Sequence, residues 1–337
     1  MMKRSLERRP ALDVLGWKGL RAMVFMLALP LFAAPGLAAT YPERSVDIIL
    51  PYGPGGTGDV IARLVSEKLA LDLGKPVVVL NKPGAAGVIG ATAAARAKPD
   101  GHTLLLGYTS EIVISPYLVK DAAYEVGRDF VPIAMAGSTP LLLVANPKLN
   151  LASIDQVVER AKAKPGVLSY ATAGVGSPAD IAGRLLEKSA GINLINVPYK
   201  GGSQATTDVV AGVASMYFAG MPPAVPFIKS GQLVPLGVTS KTRSPTLPDV
   251  PALASEGFPS LDLSGWFGFF APAGLDPEIM DMLSRKINHI MDDAEVKEKL
   301  QSLGVVTEPM AQADFARFVA AEQKKYAALI KDLNISY

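Results

Sequence analysis

The sequence predicts an α/β protein with a mostly parallel sheet, and three observations carry that prediction. Short β-rich runs alternate with helical patterns along the chain, glycine-rich turns recur where a strand gives way to a helix, and the chain ends in helices rather than strands. With 337 residues, 49% of them hydrophobic and 19% charged, there is material for two domains, and disorder is excluded.

The first 39 residues read as a secretory signal peptide. Lys3, Arg4, Arg8, Arg9, Lys18 and Arg21 make a basic start, Ala22 to Ala34 is an apolar stretch of 13 residues, and small residues around Ala38 and Ala39 offer a cleavage site. A spanning helix needs about 20 apolar residues, and Pro30, Pro35 and Gly36 interrupt any extension. The Arg8-Arg9 pair hints at twin-arginine export, although the residues after it fit that signal poorly, so the Sec and twin-arginine routes both stay open. Loss of residues 1–38 removes six basic and two acidic groups and turns a formal charge of +2 into −2. A near-neutral mature surface has no electrostatic footprint for nucleic acid or an acidic membrane. The absence of cysteine excludes thiolate metal sites, a catalytic cysteine and a lipid-modified N-terminal cysteine, so the mature protein is expected free in the periplasm. With His102 and His289 as the only histidines, a multi-histidine metal site is excluded too.

Strands are expected at 46–50, 77–80, 103–107, 141–145, 168–172, 194–197, 215–218, 233–238 and 267–272. Val60, Ile61, Leu64, Val65, Leu69 and Leu73 recur at helical spacing after the first of these. A last helix over 314–333 carries an apolar stripe from Phe315 to Leu333, with Lys324, Lys325 and Lys331 on a solvated face. Two α/β halves are visible, before and after about residue 140, and the terminal helices are expected to pack back on the first.

Four glycine-rich turns, at 52–59, 81–90, 172–180 and 199–206, sit between strands and helices. Such turns leave the first helical N–H groups pointing outward with the positive end of the helix dipole, which makes an anion site without a basic side chain. Two turns in each half suggest a cleft lined by helix N-termini. In the first turn Gly53, Gly55 and Gly58 fit the spacing of a dinucleotide-binding loop. That reading needs an acidic residue at the end of the next strand, where Asn81 and Lys82 stand instead, and Pro54 removes one donor. No cofactor is therefore expected. No G-x-S-x-G, S-x-x-K or H-E-x-x-H occurs, His102 reads as a turn residue, and His289 reads as a surface or satisfied helical residue.

Six blocks, at 51–63, 81–90, 98–107, 197–202, 236–259 and 266–274, together resemble the Bug family, the TctC-like extracytoplasmic solute receptors of tripartite tricarboxylate transporters. The resemblance runs from about Tyr41 to the end of the chain. It implies a Venus-flytrap periplasmic binding protein of type II-like form, with two α/β domains joined by crossing strands near Pro140 and Leu263. Domain 1 is then 40–140 with 263–337, and domain 2 is 141–262. It also implies a monomeric, non-enzymatic receptor that grips a small organic carboxylate with backbone groups and ordered waters and passes it to a membrane permease. An exported α/β enzyme acting on a carboxylate is the alternative.

Matching the family's motifs position by position, Tyr52 would wall the ligand, and Gly55, Gly56 and Gly58 would let it approach the backbone. Thr57 and Ser177 would donate hydroxyl bonds. Ser110 and Glu111 fall in the next cleft loop, Thr172 and Gly176 in the turn on the second domain, and Lys200 and Gly201 in the turn after its next strand. Lys200 would steer an anion or lie in solvent, and Asp59 is expected to cap its helix. The chain departs from the family twice. Ala219 and Gly220 stand where an Asp-Asn pair is frequent, which removes a polar contact and leaves room for a bulkier ligand. Glu111 stands where small or polar residues are common, either as an exposed loop carboxylate or as a cleft residue that repels a second ligand carboxylate and favours an amino, hydroxyl or protonated group.

Overall fold

A computed structural model describes residues 41–119, 123–174 and 176–333, and the expected signal peptide lies outside them. The strands are β1 (Val46–Leu50), β2 (Val77–Asn81), β3 (Thr103–Tyr108), β4 (Phe130–Ala145), β5 (Ser169–Thr172), β6 (Ile195–Pro198), β7 (Met216–Gly220), β8 (Val234–Val238) and β9 (Ser264–Pro272). The helices are α1 (Thr57–Leu73), α2 (Val88–Ala95), α3 (Ser115–Leu118), α4 (Val126–Asp129), α5 (Ile154–Ala163), α6 (Pro178–Ala190), α7 (Gly202–Ala211), α8 (Met221–Lys229), α9 (Pro277–Asp292), α10 (Ala294–Gln301) and α11 (Gln312–Asp332). Among the described residues no helix is long and apolar enough to cross a membrane.

All nine expected strands form, and the largest difference is β4. Only 141–145 reads as a strand in the sequence, whereas β4 runs for 16 residues. Its first part pairs antiparallel with β9 from Phe130 to Pro140, and its last five residues pair with β7 and β8. The chain order across the sheet is β2-β1-β3-β9-β4-β7-β5-β6, with β8 on β4. A first half-sheet, β2-β1-β3 in parallel with β9 antiparallel beside it, thus passes through β4 into a second, where β5 runs parallel to β6 and β7. Register shifts at Pro132/Ala134 and Met135/Gly137 let a strand containing two prolines and a glycine stay paired.

One apolar core lies between the first half-sheet and α1, α9 and α10, through Ile61, Val65, Leu69, Leu283, Ile287 and Val296. The other runs along β4 into the second half and includes Phe315, Val319, Tyr326 and Ile330 of α11. The terminal helices pack against β4, α1 and the turn after β3, as expected from their apolar stripes. Phe315 sits so close to Gly268 that any Cβ there would strike its ring, and the Trp266 indole N–H donates to Glu322 at 3.0 Å.

Candidate functional site

The turn between β1 and α1 is shaped by its own side chains. Gly55 takes a positive φ of 81°, and its N–H donates to Asp59 Oδ2 at 3.1 Å. Arg63 one helical turn on donates to both oxygens of that carboxylate, and Asn81 at the end of β2 reaches it at 3.3 Å. Asp59 is therefore not the N-cap. Gly56 is, with no side-chain cap, and Asp59 reaches back from the third helical position. Burial pushes the Asp59 carboxyl up, but Arg63, the Gly55 N–H and Asn81 together outweigh it and hold it below its usual value. Among the described residues the N–H groups of Gly56, Thr57 and Gly58 have no acceptor. They are the donors that a helix start cannot satisfy internally.

The second half contains the same device. Gly176, also at positive φ, donates to Asp180 Oδ2 at 2.8 Å, Arg184 donates to Oδ1 at 3.0 Å, and Asn196 on β6 donates to Oδ1 at 2.5 Å. Here most of the donors are taken. The Ser177 hydroxyl caps Asp180 N–H, Pro178 has no N–H, and the Ser177 N–H bonds Gly174. Asp180 is fully buried, and burial raises its carboxyl above the usual value against the pull of Gly176, Arg184 and Asn196.

A narrow cavity of about 60 Å³ lies where the first turn faces the second half-sheet. Tyr52, Gly56, Thr57 and Gly58 contribute from the first turn, Tyr108 from the end of β3 with Phe267 paired beside it on β9, and Gly202, Tyr217, Gly220 and Pro223 from the α7 and α8 side. No lysine or arginine lines it. Tyr108 stacks on Phe267 with ring centroids 4.4 Å apart, and Tyr52 meets Tyr108 edge-on at 5.7 Å, so the wall is a packed aromatic cluster. Gly58 is needed there, because a Cβ would fall 2.9 Å from Leu50 and 3.0 Å from Phe267.

Of the residues singled out in the sequence, Tyr52, Gly53, Gly56, Thr57, Gly58 and Asp59 line this cavity, the Asp59 carboxylate being held by Arg63 and the Gly55 N–H. Gly55 faces Ser203, whose hydroxyl donates to the Pro54 carbonyl at 2.9 Å and ties the first turn to α7. Lys200 and Gly201 border a separate depression beside Pro54 and Pro83. Thr172 is buried against Asn196, Gly176 and Ser177 serve the α6 turn, and Ala219 is buried in β7 opposite Leu142, leaving its neighbour Gly220 to face Thr57. The Ser110 hydroxyl lies 3.0 Å from the Ala86 carbonyl and 3.3 Å from that of Gly176, on the other half-sheet.

Glu111 is not an exposed loop carboxylate. It sits in a π-helical turn, Ser110–Ile114, with no solvent exposure. Its Oε1 accepts from the Tyr108 N–H at 2.7 Å and its Oε2 from the Tyr52 hydroxyl at 2.8 Å. Burial drives its pKa up to about 8, with the Tyr108 N–H and Tyr52 hydroxyl pulling the other way. The same burial raises the Tyr52 and Tyr108 hydroxyls.

Tyr108, Phe267, Tyr217, Gly202 and Pro223 were not anticipated as wall residues. Their side chains read as strand or core residues in sequence, and the usable signal is position for Tyr108 alone, which ends β3 where ligands of open α/β sheets bind, whereas Tyr217 stands at the start of β7.

Helix N-termini from both half-sheets, facing one another across a cleft beside antiparallel crossing strands, are the build of periplasmic binding proteins. The family is specific: a profile described as "Tripartite tricarboxylate transporter family receptor" matches residues 61–335, and the chain belongs to that family. Protein BugT of Bordetella pertussis (strain Tohama I) is 39% identical over 302 residues, covering 89% of this chain and 92% of its own. The structure of the periplasmic binding protein BugD is similar with TM-score 0.83 at 31% identity, over 88% of this chain and 99% of that one. An R. palustris protein solved with adipate gives TM-score 0.85 at 27% identity, with the same coverage.

Proposed function

We infer that the chain is a periplasmic receptor that captures a small carboxylate-bearing metabolite between its two half-sheets and delivers it to a tripartite tricarboxylate-type permease. The observation that carries this is the row of acceptor-free N–H groups at Gly56, Thr57 and Gly58, which opens into an aromatic-walled cavity without a cationic side chain. A carboxylate matches it, because two oxygens take up several converging main-chain donors and the helix dipole favours the charge. Gly202 at the start of α7 would contribute from the opposite side. The adipate bound to a relative supports a carboxylate as the ligand class.

In this reading the lobes are 40–140 with 263–337 and 141–262, hinged where β4 and β9 cross, near Pro140 and Leu263. The mature chain acts as a monomer after removal of residues 1–39. Bonds such as Ser203 to Pro54 form as the lobes close.

The test is thermal unfolding of the refolded, ligand-stripped protein against mono-, di- and aromatic carboxylates, amino acids and NAD(P). A ligand at about 100 times its Kd adds ~2.7 kcal/mol, a rise of several degrees. A shift with one carboxylate class and none with NAD(P) is expected. A shift with NAD(P) alone would overturn the reading.

A further inference from the structure

The carboxyl of Glu111 is buried directly behind the cleft wall, and among the described residues its partners are a tyrosine hydroxyl and a backbone N–H, with no cation paired to it. It holds Tyr52 and Tyr108, both of which line the cavity. It also packs against a turn under backbone strain. Gly84, Ala85, Ala86 and Gly87 all have positive φ, and two alanines in that region are unfavourable. Gly87 is required there, because a Cβ would lie 2.5 Å from Glu111 Oε2. The Ala86 carbonyl of this turn faces the Ser110 hydroxyl at 3.0 Å and the Tyr52 hydroxyl at 3.4 Å, and Ala86 itself packs near Gly174 of the opposite half-sheet. One carboxyl thus touches the wall, the strained turn and, through that turn, a contact between the two halves.

We propose that Glu111 is a proton-linked positioning residue: it fixes Tyr52 and the 84–87 turn in the cleft wall, and an anionic ligand is captured most tightly when this carboxyl carries a proton. This rests on the receptor reading above. A negative ligand against the wall opposes a second negative charge just behind it, and among the described residues no cation pairs with Glu111 to offset it. Protonation removes that conflict without dismantling the wall. The carbonyl oxygen of the neutral acid still accepts from Tyr108 N–H, its O–H donates to the Tyr52 oxygen, and the Tyr52 proton turns to the Ala86 carbonyl. Burial already places the carboxyl near neutrality, with a pKa of about 8.

The ionisable groups packed around it are few. Tyr52 comes from the β1–α1 turn and Tyr108 from β3, while the Tyr124 hydroxyl donates to the Glu111 backbone carbonyl at 2.6 Å. The 84–87 turn and α2 contribute none. From α11, Glu322 bonds the Trp266 indole and Lys325 pairs with Glu322, while Tyr326 is buried near Tyr108.

The experiment is calorimetric titration of the purified protein with adipate and with malate from pH 6 to 9.5, in buffers of different ionisation heat, for wild type, Glu111→Gln and Tyr52→Phe. Wild type should take up about half a proton on binding at pH 8 and approach one proton at higher pH, where its affinity should fall about tenfold per pH unit. Glu111→Gln should bind with no proton uptake and a flat pH profile. Tyr52→Phe removes a bond that favours the ionised form, so its break should move to higher pH. A flat wild-type profile, or an unchanged slope in Glu111→Gln, overturns the proposal. If neither diacid binds at any pH, it is the receptor reading that fails for these probes, and urea unfolding without ligand decides the Glu111 assignment. A folded-state pKa above the unfolded one means stability is full below about pH 4.5 and is lost as pH rises toward 8. That loss should be absent from Glu111→Gln, and parallel curves for the two proteins would overturn the proposal.

Discussion

The turn at 51–59 and the turn at 172–180 are assembled from the same parts. Each has a glycine at positive φ, a carboxylate four residues later that takes its N–H, an arginine four residues beyond that, and an asparagine from the neighbouring strand. They differ in what is left over. At the start of α6 a serine cap and a proline leave the Ala179 N–H, among the described residues, as the one donor without an acceptor. In the first a glycine stands at the cap, and three consecutive N–H groups stay open toward the cavity. A carboxylate buried behind a glycine turn is therefore a scaffold, and the capping position decides how many N–H groups it leaves open.

The sharpest way to break the comparison is to give the first turn the cap it lacks. Gly56 has an extended backbone with φ −83°, and a Cβ there meets only Ser203 Oγ at 3.9 Å. Gly56→Asp should fold and gain roughly a few tenths of a kcal/mol in urea unfolding. Its carboxylate, placed where the ligand's would lie, should weaken binding of carboxylates on the order of 100-fold by calorimetry. Unchanged affinity would remove these N–H groups from the site.

Next in size is the buried carboxylate of the second turn. Asp180→Ala strands Arg184, Asn196 and the Gly176 N–H together and should cost about 2–4 kcal/mol of stability. Asp59→Ala, where the partner Arg63 is more than half exposed, should cost about 1–2 kcal/mol but weaken ligand binding more, because it releases Gly55 and the open donors.

The two carboxylates should also separate in pH. Asp59 is depressed on folding, so its contribution is present above about pH 3.8 and is lost as pH falls through its lower folded value. Asp180 is raised, so stability is full below about 3.8 and declines as pH rises through its folded value. Urea midpoints of Asp59→Asn and Asp180→Asn against wild type from pH 2 to 7 should therefore differ in opposite directions. The smallest effects are expected for Ser177→Ala, about 1 kcal/mol of stability with little change in affinity, and for Ser203→Ala, a few-fold faster ligand release by stopped flow.

Much of this was legible in sequence where one local rule decides the outcome. Apolar runs such as Val46–Leu50 are strands because nothing in them offers an alternative, and the glycines before α1 and α7 mark open helix starts. The first part of β4 was not legible. Pro132, Gly137 and Pro140 look like breakers, and only the long partner β9 with its register shifts absorbs them. The site split in the same way. Tyr52 and residues 56–58 line the candidate cavity, a placement that the local backbone of the β1–α1 turn already implies. Tyr108 and Phe267 were missed because two strands distant in sequence bring them together. Glu111 was noticed as an unusual residue, but its burial depends on the 84–87 turn folding over it, which no spacing within 107–111 reveals.

An open row of main-chain donors also bears on how such receptors diversify. Every residue except proline presents the same N–H, so side-chain replacement at 56 or 57 leaves the donors in place, while Tyr52, Tyr217 and Pro223 set the size and polarity of the space beyond them. If the proposed site holds the ligand, gene copies of such a receptor would change solute by altering a few wall side chains and keep the main-chain donors unchanged.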